Sequence, residues 1–115
     1  MRHLYLLTVL ALLCASCTNT PKSLYSWNDY ENASYSYYKD QTPESSEKLM
    51  KTYQAMINNP KGSRKVAPPG IHAEYGYLLL QNNKKDEGLA MFQKEKELYP
   101  QSAKFMDRLI KQFSE

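Results

Sequence analysis

Residues 69–102 read PGIHAEYGYLLLQNNKKDEGLAMFQKEKELYPQS and give the clearest indication of the fold. Apolar side chains recur at helical spacing on both sides of the Asn82-Asn83 pair, which predicts two helices joined by a short turn. The first predicted helix follows Gly70, and the second ends at Pro100. Two helices connected in this way pack against each other as an antiparallel hairpin.

This stretch has the 34-residue period of the tetratricopeptide repeat and resembles that repeat at its packing positions. Small residues stand where the two helices of the repeat cross, an aromatic residue fills the hairpin core, and a proline ends the second helix. The matching residues are Tyr75, Gly76, Leu79, Gly88, Phe92 and Pro100. His72 and Glu95 depart from the repeat, because a large aromatic residue and an alanine are common there, and Glu95 disfavours close packing against a following helix. Residues 27–60 resemble a second, degenerate copy, with Ser36 and Lys48 at its small sites.

Three further segments have helical periodicity. The first covers about residues 24–39, and the second covers about residues 43–58 with Thr42 as its N-cap. The last follows Pro100, with Ser102 as its N-cap. Its apolar stripe consists of Phe105, Met106, Leu109, Ile110 and Phe113. The sequence therefore predicts an all-α fold of about five short helices, in tetratricopeptide-like antiparallel hairpins with a C-terminal capping helix.

The N-terminal residues have the pattern of a lipoprotein signal peptide. The apolar run 4–13 is too short to span a bilayer and has the length of a signal-peptide core. The following residues 14–17, Cys-Ala-Ser-Cys, resemble a bacterial lipobox and predict lipidation of Cys17. An ordinary signal peptide cut near residues 15–16, which would leave a soluble protein, is the alternative.

These features divide the chain into a lipoprotein signal peptide (1–16), a lipidated tether (17–23) and a helical domain (24–115). Thr18 follows the cysteine where an aspartate would favour retention in the inner membrane. We therefore expect an anchor in the outer membrane with the body on its periplasmic face, with the inner membrane and the cell surface left open.

The charge of the chain argues against nucleic acid as a partner. The formal net charge is +3, which is too small for the strong basic patch of a nucleic-acid-binding protein. The tightest basic cluster, Lys61, Arg64 and Lys65, lies in a long irregular loop. Two interpretations remain open for this cluster: a solvated loop, or contact with anionic lipid head groups near the anchor.

Few residues could carry catalysis or hold a metal. After removal of residues 1–16 and acylation of Cys17, one histidine (His72) and no free thiol remain, which argues against a zinc site or Cys–His catalysis. The sequence contains the residue types of a Ser–His–Asp triad, with His72 as the histidine, so composition does not exclude one. The pattern G-x-S-x-G, however, is absent. We predict a non-enzymatic protein without metal or cofactor, in which His72 caps or packs near a helix start.

The first predicted helix is unusually rich in aromatic residues, a type that suits interfaces because each combines a large apolar area with a polar tip. The candidates for partner binding are Tyr25, Trp27, Tyr35 and Tyr38. Core packing is the other interpretation, and it applies first to Trp27, Tyr30 and Tyr37.

Over nearly its whole mature length the chain is similar to a family of bacterial lipoproteins, domain of unknown function 4810. The residues that carry the resemblance are Leu24-Tyr25-Ser26-Trp27, Tyr30, Tyr37-Tyr38-Lys39, Pro68-Pro69-Gly70-Ile71-His72-Ala73, Phe92, Glu95-Lys96, Tyr99-Pro100-Gln101-Ser102 and Phe105-Met106-Asp107. The resemblance implies a short envelope lipoprotein encoded beside a lipoprotein resembling the curli secretion channel and beside a second small lipoprotein. It supplies no catalytic residues.

The function predicted from the sequence is that of a lipid-anchored scaffold or accessory subunit in an envelope secretion or assembly complex. Its expected partners are the membrane, other envelope lipoproteins or a second copy of the chain. The alternative is a lipoprotein that binds a peptidoglycan fragment or a peptide in an aromatic groove.

Overall fold

The computed structural model describes residues 22–115 and the isolated positions 1 and 20, so Cys17 and nearly all of the predicted signal peptide lie outside the described residues. Within residues 22–115 there are five α-helices and no strand. Helices α1 to α5 cover Tyr30–Asp40, Pro43–Asn58, Ile71–Gln81, Lys85–Leu98 and Ala103–Ser114, and a 3-10 turn at Pro100–Ser102 precedes α5. The all-α prediction with five short helices is confirmed for this part of the chain.

Helix α2 begins and ends where the sequence predicts. The Thr42 side chain accepts a hydrogen bond from the Ser45 N–H at 3.1 Å, and the Ser45 hydroxyl accepts one from the Thr42 N–H at 3.0 Å. This reciprocal capping box satisfies two backbone donors that the first turn would otherwise leave unpaired. The buried face of α2 carries Leu49, Tyr53 and Met56.

The prediction that the first helix begins near Leu24 is wrong, because α1 begins at Tyr30. Asn28 has a φ of 48°, in the left-handed region, and this conformation breaks the helical path before Asp29. The six residues before α1 therefore carry their aromatic side chains outside the helix.

The segment before α1 forms hydrogen bonds with the long loop between α2 and α3, residues 59–70. The Ser63 N–H donates to the Ser23 carbonyl at 2.9 Å, and the Arg64 N–H donates to the Leu24 carbonyl at 3.0 Å. Gly62 makes this approach possible, since an added Cβ would lie 2.3 Å from the Leu24 carbonyl oxygen. The Ser23 and Leu24 carbonyls, which would accept hydrogen bonds within a helix, thus accept them from the loop.

Helices α3 and α4 form the tightest pair in the fold. An added Cβ on Gly76 would lie 2.7 Å from the Gly88 carbonyl oxygen, and one on Gly88 would lie 2.7 Å from the Gly76 oxygen. The two helices therefore touch backbone to backbone, with Phe92 fully buried beside them. Tyr75 and Leu79, which the sequence assigned to the same packing, are also buried.

The short turn between the two helices and the exposed proline beyond them complete the hairpin. Asn83 has a φ of 61° in the left-handed region, which asparagine tolerates better than most residues. Pro100, which the sequence placed at the end of the second helix, begins the 3-10 turn after α4 and is exposed.

A buried carboxylate joins the end of α4 to the start of α3. Glu95 is 3% exposed, and its Oε1 accepts a hydrogen bond from the Gly70 N–H at 2.6 Å. Gly70 is the N-cap of α3, so Glu95 acts as a capping acceptor supplied by another helix. The side chain that we expected to hinder packing against the following helix is directed to the start of α3.

His72 and Tyr99 lie at the same junction. The Tyr99 hydroxyl donates to the Ala67 carbonyl at 2.6 Å and so holds the loop that enters α3. His72 is 5% exposed, which agrees with a packing residue. Its Nδ1 is buried and has no hydrogen-bond partner within the described residues, and burial lowers its pKa, with Lys94 lowering it further.

Helix α5 packs on α4 with only part of its predicted stripe. Met106 is buried, and the Phe113 ring lies 6.3 Å from the Phe92 ring. Phe105, a member of the same apolar stripe, is 57% exposed and does not face the core. Ser102 precedes α5, but its side chain does not cap the helix, because the hydroxyl donates to the Tyr99 carbonyl at 2.7 Å.

Replacing Gly76 with alanine tests the close contact between α3 and α4. Helix propensity alone would make Gly76→Ala stabilising by about 1 kcal/mol, because glycine is a poor helix former. We expect the opposite, a loss of about 1–3 kcal/mol, because the new methyl group would overlap the Gly88 backbone. Urea unfolding measures the difference, with Ala90→Gly on the exposed side of α4 as the propensity control. A Gly76→Ala variant as stable as the parent would contradict the contact.

Replacing Glu95 with glutamine tests the buried capping acceptor. Burial raises the pKa of Glu95 above its ordinary value of 4.5, although the Gly70 N–H lowers it in part. A carboxyl group with a raised pKa in the folded state contributes stability below pH 4.5, and this contribution is lost as the pH rises through the folded-state pKa. The free energy of unfolding of the parent should therefore fall relative to that of Glu95→Gln as the pH rises above 4.5. Glu97→Gln, exposed on the same helix, serves as the control. Parallel pH profiles for the parent and Glu95→Gln would show that the buried charge has no such effect.

Candidate functional site

A groove of about 800 Å³ opens between α1, α3 and α5, with the start of α2 along one side. Its floor consists of buried side chains: Leu49, Tyr53, Leu78 and Phe92. Its walls carry aromatic rings that are at least half exposed: Tyr38, Tyr77 and Phe105. The volume falls in the range of about 300–1,000 Å³ that is typical of binding sites for small ligands and side chains.

Glu74 is the one charged residue among the described residues that line the groove. Its Oε2 accepts hydrogen bonds from the Tyr30 hydroxyl at 2.8 Å and from the Tyr53 hydroxyl at 2.9 Å. These two donors come from α1 and α2, so the carboxylate on α3 ties three helices together. The side chain is still exposed, so it presents a negative charge to whatever occupies the groove.

The two tyrosines that bond to Glu74 have perturbed acidities. Burial and, next, the hydrogen bond to the Glu74 carboxylate together raise the pKa of Tyr30 to about 12. Burial raises the pKa of Tyr53 more strongly, with the Glu74 charge as the next cause. Both hydroxyls are therefore protonated donors at neutral pH, which suits a structural role.

Tyr38 belongs to the same electrostatic environment. Although most of the side chain is exposed, partial desolvation of the hydroxyl raises its pKa, and the nearby charge of Glu74 adds to this effect. Its neighbour Tyr37 donates a hydrogen bond from its hydroxyl to Gln81 Oε1 at 3.0 Å, which links α1 to α3 along the groove. The two adjacent tyrosines thus have different roles, since Tyr37 joins helices while the ring of Tyr38 is 70% exposed.

The four aromatic residues predicted to bind a partner do not share one site. Only Tyr38 lines the groove. Trp27 is half-exposed before α1, with its ring 5.6 Å from the Tyr30 ring, while Tyr25 is half-buried. Tyr35 is exposed on α1 outside the groove, with the Lys39 ammonium 5.7 Å from its ring centre.

The groove residues on α3 and α5 are not among the residues predicted to bind a partner. Tyr77 lies off the apolar stripe that carries Tyr75, Leu78 and Leu79, so its helical position predicts exposure. An exposed tyrosine on a helix with an apolar core face was a usable signal. Phe105 gave no comparable signal, because its spacing fits the buried stripe of α5.

The described residues hold no group of three or more His, Cys, Asp or Glu side chains that could bind a metal ion. None of the five helices α1–α5 is long and apolar enough to span a bilayer. The one carboxylate of the groove is bonded to two protonated tyrosines, and His72 is buried elsewhere. The groove residues are therefore equipped to bind apolar and aromatic groups and a cation.

These features define a small all-α protein in which two helical pairs and a C-terminal helix enclose an aromatic groove. A family model described as Domain of unknown function (DUF4810) matches residues 24–109, and the chain belongs to this family. No curated protein and no solved structure matches the chain.

Several residues that carry the family resemblance meet at one place in the structure. Glu95 bonds to Gly70, and Tyr99 bonds to the loop immediately before Pro68. Lys96 of the same helix forms an ion pair with Asp107 on α5. The shared residues thus connect the start of α3, the end of α4 and α5, which are elements that set the shape of the groove.

Replacing Tyr53 with phenylalanine tests the Glu74 cluster. The variant loses a hydrogen bond to a charged group, so we expect it to be less stable at pH 7 by about 1–3 kcal/mol. The folded-state pKa of Tyr53 is raised, so the contribution of its hydroxyl is present below pH 10 and is lost as the pH rises. The difference between parent and Tyr53→Phe should therefore narrow above pH 10 in urea unfolding. Tyr35→Phe is the exposed control, and a difference that stays constant to pH 12 would contradict the cluster.

Proposed function

We propose that this protein is a non-enzymatic envelope lipoprotein whose aromatic groove binds a segment of a partner protein. The observation that carries the proposal is the groove itself, with its buried apolar floor and the exposed rings of Tyr38, Tyr77 and Phe105. Exposed aromatic rings grouped around a concave apolar surface are typical of interaction sites, because each ring buries a large area on contact.

The charge of the groove narrows the chemistry of the partner segment. Glu74 supplies a single negative charge inside otherwise uncharged walls. A segment with two bulky apolar side chains and one lysine or arginine between them would fill the groove and pair with this carboxylate. An acidic segment would be disfavoured, since it would place like charges together in a partly desolvated site.

The arrangement of α3 and α4 supports a tetratricopeptide-like body. Their backbone contact at Gly76 and Gly88 and the buried ring of Phe92 agree with the hairpin that the sequence resembles. In stacked helical hairpins the first helices line a concave face that binds peptides. In this chain α1, α3 and α5 supply the exposed rings of the groove, as the first helices of such a stack would, while α2 and α4 contribute to its floor.

We further propose that Cys17 is acylated, with palmitate among its acyl chains, and anchors the body at the periplasmic face of the outer membrane. The lipobox-like residues 14–17 and the polar residues after them support this part. Membership of the family and its resemblance to envelope lipoproteins favour a role as accessory subunit in a secretion or assembly complex. A lipoprotein resembling the curli secretion channel is then the expected partner.

A second candidate function is the binding of a small ligand, such as a peptidoglycan fragment or a short peptide. The groove volume of about 800 Å³ favours it, because this volume would enclose several linked sugar or amino-acid units. Aromatic walls such as Tyr77 and Phe105 could also stack on the apolar face of a sugar.

Photo-crosslinking in the envelope of the native host distinguishes these candidates. A photoreactive amino acid at Tyr77 or Phe105 should capture the same polypeptide, because both side chains line one groove. The matched control is Tyr35, which is also an exposed aromatic residue but lies outside the groove. We expect no adduct there, and we expect Glu74→Gln to reduce the yield at Tyr77.

Three outcomes would decide between the proposals. One polypeptide captured at both groove positions, and not at Tyr35, would support the partner-binding function. Peptidoglycan fragments captured at the groove positions would instead support the second candidate. Equal capture at Tyr35 and at the groove positions would contradict both.

A further inference from the structure

The three basic residues of the long loop lie beside the point where the chain enters the folded body. The Lys61 N–H donates to the Ser26 hydroxyl at 3.0 Å, and the Arg64 N–H donates to the Leu24 carbonyl at 3.0 Å. A separate bond joins Ser63 to Ser23 at 2.9 Å. The loop is therefore bonded to the first residues of the described body at three points.

The contact is close enough to keep the loop in place. Gly62 is buried, and an added Cβ would lie 2.3 Å from the Leu24 carbonyl oxygen and 2.4 Å from the Tyr25 Cα. No side chain fits between the two backbones at this point. The basic residues on either side of Gly62 are consequently held at the N-terminal end of the body.

The basic side chains of this region are exposed to solvent and are not neutralised by ion pairs within residues 22–115. Lys22, Lys61, Arg64 and Lys65 are all exposed. None of them takes part in the ion pairs formed within residues 22–115. The loop therefore adds three positive charges, and Lys22 adds a fourth, to one region of the surface.

The length of chain before Lys22 limits how far this region can be from the proposed anchor. Cys17 and Lys22 are five residues apart in the sequence, and an extended chain of that length reaches about 18 Å at most. An acylated Cys17 lies at the membrane surface. The side of the body where the chain enters must then lie within that reach of the lipid head groups.

We infer that the loop carrying Lys61, Arg64 and Lys65, with Lys22 beside it, is the surface by which the body rests on an anionic phospholipid bilayer. This inference rests on the proposed anchor for its geometry, and it adds an orientation that the anchor alone does not impose. With the loop on the membrane, the body has one defined side toward lipid and the rest toward the periplasm.

Attraction of this kind has a defined strength and range. Each lysine or arginine near an anionic leaflet contributes about a fivefold increase in membrane association. Three such residues therefore contribute about a hundredfold preference for the orientation that brings them to the surface. The effect decays over about 8 Å at physiological ionic strength, so it acts only on groups that the tether keeps close.

The experiment uses the full chain, processed in cells and reconstituted in vesicles of phosphatidylcholine with or without phosphatidylglycerol. The sequence has cysteines only at positions 14 and 17, so Ser63→Cys introduces a unique thiol for a fluorophore in the acylated protein. A lipid with a quencher on its head group reports how close the fluorophore lies to the surface. Ala90→Cys, exposed on α4, gives the comparison position.

We expect quenching at position 63 to exceed quenching at position 90 severalfold in vesicles that contain phosphatidylglycerol. The excess should disappear in Lys61→Gln/Arg64→Gln/Lys65→Gln and at high salt. The matched control is Lys104→Gln/Arg108→Gln/Lys111→Gln, which removes the same charge from exposed positions on α5 and should leave the excess unchanged. Equal quenching at the two positions, or loss of the excess only in the α5 variant, would overturn the inference.

Flotation with the same vesicles separates this inference from the proposed anchor. Flotation with neutral vesicles and an acyl mass on residue 17 support the anchor. If the chain floats with both kinds of vesicle but the quenching is equal, the anchor stands and the loop inference fails. If it floats only with anionic vesicles, and only with the basic loop intact, the loop inference stands and the anchor fails.

Discussion

The backbones of α3 and α4 meet at Gly76 and Gly88 without a side chain between them, and the shape of the described body depends on this contact. Because the two helices are so close, Phe92 can be fully buried beside them and still form part of the groove floor. The contact also fixes the rotation of α3, so that Leu79 faces the core while Tyr77 faces outward. A wider separation would open the core and displace the groove wall at the same time.

Two polar devices hold the ends of this helix pair where the packing needs them. Glu95 accepts a hydrogen bond from Gly70, the N-cap of α3, and Tyr99 donates one to the loop that precedes it. At the other face of α3, Glu74 receives two tyrosine hydroxyls from α1 and α2. Both carboxylates are thus bonded across helices, and removal of either would leave partners without a hydrogen bond in partly dry surroundings. These hydrogen bonds, together with apolar packing, determine the shape of the groove.

Local signals in the sequence were sufficient for much of this fold. Helix α2 could be predicted at both ends, because Thr42 and Pro43 mark its start and Asn59-Pro60 follows its end, and each acts within one turn. The start of α1 could not, since residues 23–26 bond to a loop about 40 positions later in the chain, and periodicity carries no information about such pairing. The repeat-like spacing identified Gly76 and Gly88 as the crossing point because close packing leaves a residue-type signature.

The groove was harder to foresee than the helices. Its walls come from three helices that are far apart in sequence, and their rings converge only after the helices have packed. Aromatic density in one segment pointed to Tyr38, which lines the groove, but it also pointed to Tyr25, Trp27 and Tyr35, which lie elsewhere. The role of Glu95 was also unpredictable from local sequence. An acidic residue at a packing position is expected to disfavour packing, and its hydrogen bond to Gly70, 25 positions earlier, appears only in the folded chain.

The chain of rings that begins at Trp27 has an optical consequence. Trp27, Tyr30, Tyr53 and Tyr75 follow one another with centre-to-centre distances of 5.6, 6.1 and 5.8 Å. At these separations, light absorbed by the three phenols passes readily to the single indole and emerges as its emission. Because this transfer weakens steeply with distance, the tyrosine-sensitised emission of Trp27 reports, without any added dye, whether α1, α2 and α3 are packed together.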